Sequence, residues 1–518
     1  MRKLITGLFT LVMGSSAFGT ELTLLHTNDI HSYFNSSSRG DDKGGYPRLK
    51  TLIDDIRKET ASQGIASYLI DAGDFMEGAI YFMARAGERN LEMKEAMGYD
   101  VVVMGNHDYL MGIDGLEDLF DRYPPAFPLI AANLQGTSEH KNIKKFVKPY
   151  IEKKIGKYKV AFLGLTTNDV LYSWIFRPGK ISKPIREARK WVKYLKKKNF
   201  DFIIGVTHLG VFTDKKLIQA VPGIDLIIGG HSHSVLKEPI YVKNKFGRSI
   251  PIVQTGSHGD YLGRLNLDLK DNELKLLNYQ LISTQGVERN PAIQYLVDQS
   301  QNDLEKFYGT AWLKELIGVS YLERGVTKNN IKTWAFWITD AMRESVNADV
   351  GIHAPSLTGE DFPEGNVNRW DLVNGHPRVF EFGQPKGWKV YTGLMNGALF
   401  KTLIQAAATW DFPLTFSGVS YKVKRLKNEK RVVYGIRVNG RRVNPLKRYK
   451  IAVPEGIARG GEGISKLTRL LVQKTRPSNI FFWEAMEKKF SDSQSRLDEN
   501  YLYRLRRNIH TLYLPENF

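Results

Sequence analysis

Five apolar runs in this 518-residue chain each stop at side chains able to hold a cation or a phosphate. LTLLHTNDIH stops at Asp29 and His31, SYLIDAGD at Asp74, VVVMGNHD at Asn106 and His107, IIGVTHLG at His208, and LIIGGHSH at His231 and His233. Carboxylates, amides and imidazoles are donors that divalent cations accept from proteins. Three oxygen donors and four imidazoles suffice for two cations sharing one carboxylate, an arrangement whose chemistry is hydrolysis by an activated water. A single histidine after a strand is ordinarily a satisfied loop residue. Asp-x-His, Gly-Asp, Gly-Asn-His-Asp, Thr-His and Gly-His-x-His in this order, each closing an apolar run, form a joint pattern that chance rarely makes.

The elements that must position these groups follow from the same runs. Short β-branched and leucine-rich stretches read as buried strands, so the polar groups fall where strands give way to loops. Active sites of α/β proteins are commonly built there. Between the runs, YPRLKTLIDDIRKET and REARKWVKYLKKK are amphipathic and predict helices covering a sheet. A helical connector is expected from about Gln285 to Glu315, including PAIQYLVDQSQNDLEKFYG. The length implies two or three domains.

Composition narrows the class. Zero cysteines exclude disulfides, thiolate metal ligands, lipoprotein attachment and a cysteine nucleophile. Arg2 and Lys3 precede the apolar LITGLFTLVMG and the small residues of SSAFGTE, which predicts a secretory signal peptide over residues 1–19, cleaved near Ala17 or Gly19. A periplasmic or secreted bacterial location is the corresponding expectation, with no membrane-spanning segment in the mature chain. Lys and Arg outnumber Asp and Glu by 74 to 55, a net charge of +19 that favours anionic substrates and electrostatic contact with anionic surfaces. The basic runs show sparse aromatic interleaving and no nucleic-acid motif, so nucleic-acid binding is a minor expectation.

HTNDIH, GDFMEG, GNHDY, AANL, THLG, GGHSH and VQTGSHGDYLGRL together resemble a calcineurin-like metallophosphoesterase, and more narrowly the secreted bacterial 5'-nucleotidase and UDP-sugar hydrolase family, over about residues 22–270. The resemblance implies an α/β fold: a metallophosphoesterase β-sandwich flanked by helices over residues 20–284, a helical linker over 285–315, and an α/β substrate-binding domain of 5'-nucleotidase type over 316–518. It assigns Asp29, His31, Asp74 and His233 to one metal and Asp74, Asn106, His208 and His231 to the other. Zinc, manganese, iron or cobalt would suit these donors. His107, next to ligand Asn106, is then the transition-state stabiliser or general acid, and both residues are expected to face substrate.

Three departures from the family pattern follow. The aspartate that pairs with the histidine in Gly-Asn-His-Glu-Phe-Asp is Leu110 here, leaving Asp108 as a catalytic partner, a helix cap or an outer support. The segment that supplies a phosphate-binding arginine reads His353-Ala354-Pro355-Ser356-Leu357-Thr358. Of the two base-stacking aromatics, one falls near Phe412 or Phe416, the other is Gly456, and Glu462 replaces the Asp of the Gly-Gly-Asp-Gly turn. Arg343, Arg369, Arg378 and Arg459 are alternative sources of charge, and Trp370 and Trp388 alternative flat surfaces.

The expected function is an exported, dinuclear metal-dependent hydrolase of small phosphoesters, with nucleotides leading. Its alternatives are a periplasmic sulfur–sulfate ester hydrolase of the same superfamily and a non-catalytic binding module.

Overall fold

The computed structural model describes residues 19–38, 40–270, 273–321, 327–328, 331–379, 386–409, 414–426, 431–460 and 473–492. The leader region through residue 18, Phe412 and Glu462 lie outside the described residues.

Two sheets stack in the first half of the chain. One has seven strands in the spatial order Glu273–Ser283, Tyr261–Lys270, Thr20–Thr27, Ala66–Asp71, Val101–Val103, Leu129–Ile130 and Val147–Lys148. The other has six: Ile240–Lys243, Ser249–Val253, Leu226–Gly229, Phe202–His208, Tyr158–Thr166 and Tyr150–Ile155. Alternation along each strand builds the layers. Leu22 and Leu24 point between the sheets with Ile70, Val101, Phe162, Ile204 and Ile228, whereas Leu25 points outward to the core under helix Tyr46–Ser62. The second sheet is covered by helices Pro184–Lys197 and Val211–Ala220 through Val192, Leu195, Leu217 and Ile218.

Register decides where the chemistry goes. Thr20–Thr27 runs parallel to Ala66–Asp71, which runs parallel to Val101–Val103, and Phe202–His208 runs parallel to Leu226–Gly229. Parallel strands deliver their C-terminal ends to one edge of a sheet, so all five chemistry-bearing motifs emerge at the same end of the sandwich.

Helix Pro291–Tyr308 follows, its N-terminus capped by Asn290, whose side chain accepts from the amides of Ala292 and Ile293. Ile293, Val297 and Leu304 bury its inner face, and Asp303 pairs with Arg89 at 2.7 Å. A second α/β unit then forms a five-stranded sheet in the order Thr415–Ser417, Val350–His353, Arg448–Pro454, Lys389–Asn396 and Gln473–Phe481. Helix Thr333–Ser345 packs on it with helix Phe482–Ser491, through Trp337, Met342, Phe482 and Met486.

The two units meet closely. The Ile80 amide donates to Asn374 Oδ1 at 2.8 Å, and Tyr81 meets Trp370 edge-on at 5.4 Å between ring centres. Leu110 packs against Trp388. Among the described residues, no helix is long and apolar enough to cross a membrane.

Candidate metal centre

The strand-end loops adopt backbone conformations that only a surrounding structure can enforce. Asp29, His31, Asp74, Glu77, His231 and His233 all have positive φ, between 45 and 78°. Non-glycine residues rarely occupy this region, and such strain concentrates at functional sites. Space is equally tight. A Cβ at Gly105 would lie 2.1 Å from Asp74 Oδ1, and one at Gly230 would lie 2.6 Å from the Ala72 carbonyl, so both positions require glycine.

These loops bring Asp29, His31, Asp74, His208, His231 and His233 together, and Asn106 lies in the loop after Val101–Val103, beside His107 in sequence. Ligand atoms converge in overlapping groups: Asp29 with His31 and His233, His31 with Asp74 and His107, and Asp74 with His208 and His231. Asp74 joins the second and third, the position a shared carboxylate must occupy. His31 Nε2 and His233 Nε2 stand 3.1 Å apart, and His233 Nε2 is 3.3 Å from Asp29 Oδ1. His208 Nε2 lies 3.0 Å from Asp74 Oδ2.

The surroundings suit cations. His31 Nδ1 is 2.8 Å from the Glu77 carbonyl and His208 Nδ1 is 2.7 Å from the Ala72 carbonyl. A carbonyl only accepts, so each ring carries its proton on Nδ1 and turns Nε2 inward, the usual support for a metal-binding histidine. Asn106 Oδ1 is buried without a hydrogen-bond partner, an acceptor that a cation would satisfy. The donor set therefore fits divalent metal ions.

Electrostatics agree. Burial pushes the Asp74 carboxyl up, but His208 and His107 outweigh it and hold it well below the usual range. Burial pulls His208 down, yet Asp74 and Asp29 raise it to about 10, the mark of a strongly anionic pocket. Burial and the neighbouring His208 lower His231 to about 4, leaving it neutral. His233 is the most open member, with its side chain 43% exposed.

His107 stands beside this cluster. Its amide donates to Asp74 Oδ1 at 2.8 Å, and its Nε2 lies 3.9 Å from Asp74 Oδ2. Its Nδ1 meets Glu77 Oε2 at 2.5 Å, a partner that motif reading passed over although Glu77 ends the same GDFME stretch that carries Asp74. Asp108 is engaged by backbone amides. Its carboxylate accepts the amides of Asp74 at 3.0 Å, Met76 at 2.9 Å and Gly105 at 2.7 Å, and so ties two loops together.

Of the four arginines singled out from sequence, Arg378 reaches this centre. Arg343 bonds Ser417 Oγ, Arg369 pairs with Glu487 and Glu315, and Arg459 pairs with Glu455. Trp388 is 4% exposed and serves the seam between the units, and His353 is buried beside His376 with ring centres 5.5 Å apart. Neither offers a surface to substrate.

The sandwich and its ring of strand-end donors define the calcineurin-like phosphoesterase class, and residues 22–235 match that family. Residues 318–469 match the 5'-nucleotidase C-terminal domain. The two matches stand in tandem, a calcineurin-like phosphoesterase domain followed by a 5'-nucleotidase C-terminal domain. It is 26% identical over 501 residues to the trifunctional nucleotide phosphoesterase protein YfkN of Bacillus subtilis (strain 168), covering 86% of this chain and 32% of that protein. It is 26% identical over 507 residues to protein UshA of Yersinia enterocolitica, covering 87% of each. The chain spans about a third of the Bacillus relative's length and little more than half that of the snake venom 5'-nucleotidases it also matches. In fold it resembles the 5'-nucleotidase precursor of Thermus thermophilus, with a TM-score of 0.76, 22% identity, and 91% and 96% of the two chains covered.

Proposed function

We propose that this chain is an exported two-metal hydrolase of small phosphoesters, with nucleotides as the leading substrate class. The observation that carries this reading is the convergence of Asp29, His31, Asp74, His208, His231 and His233 at one end of the sandwich, with His107 beside them and held from behind by Glu77. Nucleotides are favoured because the Bacillus relative is named a nucleotide phosphoesterase and the net charge of +19 attracts anions. Export rests on the leader-like residues 1–19, and mass spectrometry of the mature N-terminus tests it.

Two divalent cations, when bound, supply water activation and polarise the phosphoryl oxygens. Asp29, His31, Asp74 and His233 would hold one, and Asp74, Asn106, His208 and His231 the other. Zinc, manganese, iron and cobalt all suit these donors. The chain's own part is to exclude solvent and deliver a proton. His107 is 8% exposed, and its Nε2 faces the cluster because Glu77 engages the opposite nitrogen. We assign it donation of a proton to the leaving-group oxygen, with Asn106 beside it contacting the phosphoryl group. Phe412 is the residue we assign to stacking on a nucleobase.

The test is hydrolysis by the metal-loaded full chain, read as inorganic phosphate released from nucleoside monophosphates and p-nitrophenyl phosphate and as nucleoside monophosphate released from cyclic nucleotides and UDP-sugars, beside Asp74→Asn and His107→Ala. Nucleoside monophosphate turnover that collapses in both variants supports the two-metal hydrolase. Metal binding without release from any ester overturns it. Release of sulfate from a sulfur-linked sulfate, with phosphoesters untouched, would replace it.

A further inference from the structure

Arg378 belongs to the second unit, just beyond helix Arg369–Gly375, yet its guanidinium lies inside the first unit's catalytic cluster. It is 7% exposed. Nε donates to the Leu357 carbonyl at 2.9 Å and Nη2 to the Ser356 carbonyl at 3.2 Å. Nη1 donates to Glu77 Oε2, the same oxygen that meets His107 Nδ1, and stands 3.3 Å from that nitrogen.

This geometry has a direction. The planar guanidinium fork is aimed by two carbonyls of its own unit, so its third arm reaches Glu77 only where the second unit places it. One carboxylate oxygen of Glu77 thus accepts from both Arg378 and His107, so the guanidinium and the imidazole share a single support. The contact joins positions 301 residues apart, and Leu110–Trp388 and Ile80–Asn374 flank it in the same seam.

We propose that Arg378 is a positioning residue that fixes Glu77, and through it the His107 ring, so that the proton donor is assembled only when the second unit is seated on the first. This rests on the reading of His107 as proton donor. Kinetics of wild type, Arg378→Gln, Arg378→Lys, Glu77→Gln and the Glu77→Gln/Arg378→Gln double variant test it, with metal content measured throughout. Arg378→Gln should lower kcat about 10- to 100-fold on an alkyl phosphate, with KM and bound metal unchanged, because outer support of a catalytic group carries costs of that order. The loss should be only about threefold or less on p-nitrophenyl phosphate, whose leaving group needs no proton. The double variant should be no slower than Glu77→Gln, and Arg378→Lys should recover only part of the loss.

A rise in KM with kcat intact would make Arg378 a substrate ligand and overturn the proposal. Equal losses on both esters, or additive losses in the double variant, would overturn it as well. A second readout needs no turnover: in ¹⁵N-histidine spectra, the ring signals that disappear in His107→Ala should shift alike in Arg378→Gln and Glu77→Gln. Unmoved signals in Arg378→Gln would sink the proposal even if the wild type hydrolyses no ester, an outcome that separately defeats the phosphoesterase reading.

Discussion

Glu77 Oε2 meets His107 Nδ1 at 2.5 Å, so a carboxylate from the loop after one strand orients the imidazole from the loop after the next. The aspartate expected from the related family pattern is Leu110 here, which is buried against Trp388. Glu77→Gln should therefore lower phosphate release about 10- to 100-fold while leaving bound metal unchanged. Leu110→Asp in that background should fail to restore it and should cost about 2–4 kcal/mol, because the new carboxylate would enter an apolar seam. Phosphate assays, metal analysis and denaturant melts check the three outcomes; recovery of turnover by Leu110→Asp would show that the ring can be served from that side.

Asp108→Asn separates support from catalysis. Two oxygens of Asp108 accept three backbone amides, and asparagine offers a single acceptor. One buried amide is left unmet, at a cost of about 1–3 kcal/mol. Melting temperature and metal affinity should fall together, while kcat at saturating metal stays within about tenfold. Loss of kcat that excess metal cannot restore would place Asp108 in the reaction itself.

Lys94 and Asp71 form an ion pair of 2.7 Å with both side chains fully buried. Lys94 Nζ also lies 4.1 Å from the centre of the Tyr99 ring, and Asp71 accepts from Thr27 Oγ1 and from the Gly73 amide at the start of the Asp74 loop. Lys94→Met leaves that carboxylate unpaired in the core and should cost about 3–5 kcal/mol. Adding Asp71→Asn should return part of it. Chemical denaturation of the three variants measures both steps.

Asp214 gives a pH dependence. It accepts from Thr207 Oγ1 at 2.8 Å, its Oδ2 is buried without a partner, and burial pushes the carboxyl up to about 8. In the unfolded chain it would ionise near about 4. Between those values the unfolded state has released a proton that the folded state retains, so this residue's contribution is fully present below about pH 4 and is lost as pH rises to about 8. Asp214→Asn removes that slope. The variant should match wild type near pH 4 and exceed it by on the order of 5 kcal/mol at pH 8, measured by urea denaturation.

The sandwich and its donors were legible because each depends on local pattern. Alternating apolar residues specify strands, and a polar residue directly after a buried strand has one place to go, the loop at its end. What sequence could not show is pairing across distance. Asp108 follows His107 immediately, yet the turn of His107–Tyr109 sends its carboxylate back to the amides of two loops. Glu77 lies in the GDFMEG stretch and Arg378 is one of four arginines that stand out, but nothing local pairs the two, since their contact spans 301 residues.

By itself, then, the sequence determined the strand-end motifs, the donor types, the absence of cysteine chemistry and the alternation of strands and helices. Tertiary structure alone decided which carboxylate serves His107, which of four arginines enters the centre, and that Trp388 closes a seam rather than facing substrate. The physical reason is that backbone pattern is a property of neighbouring residues, whereas the partner of a buried charge is settled by how two separately folded surfaces come to rest against each other.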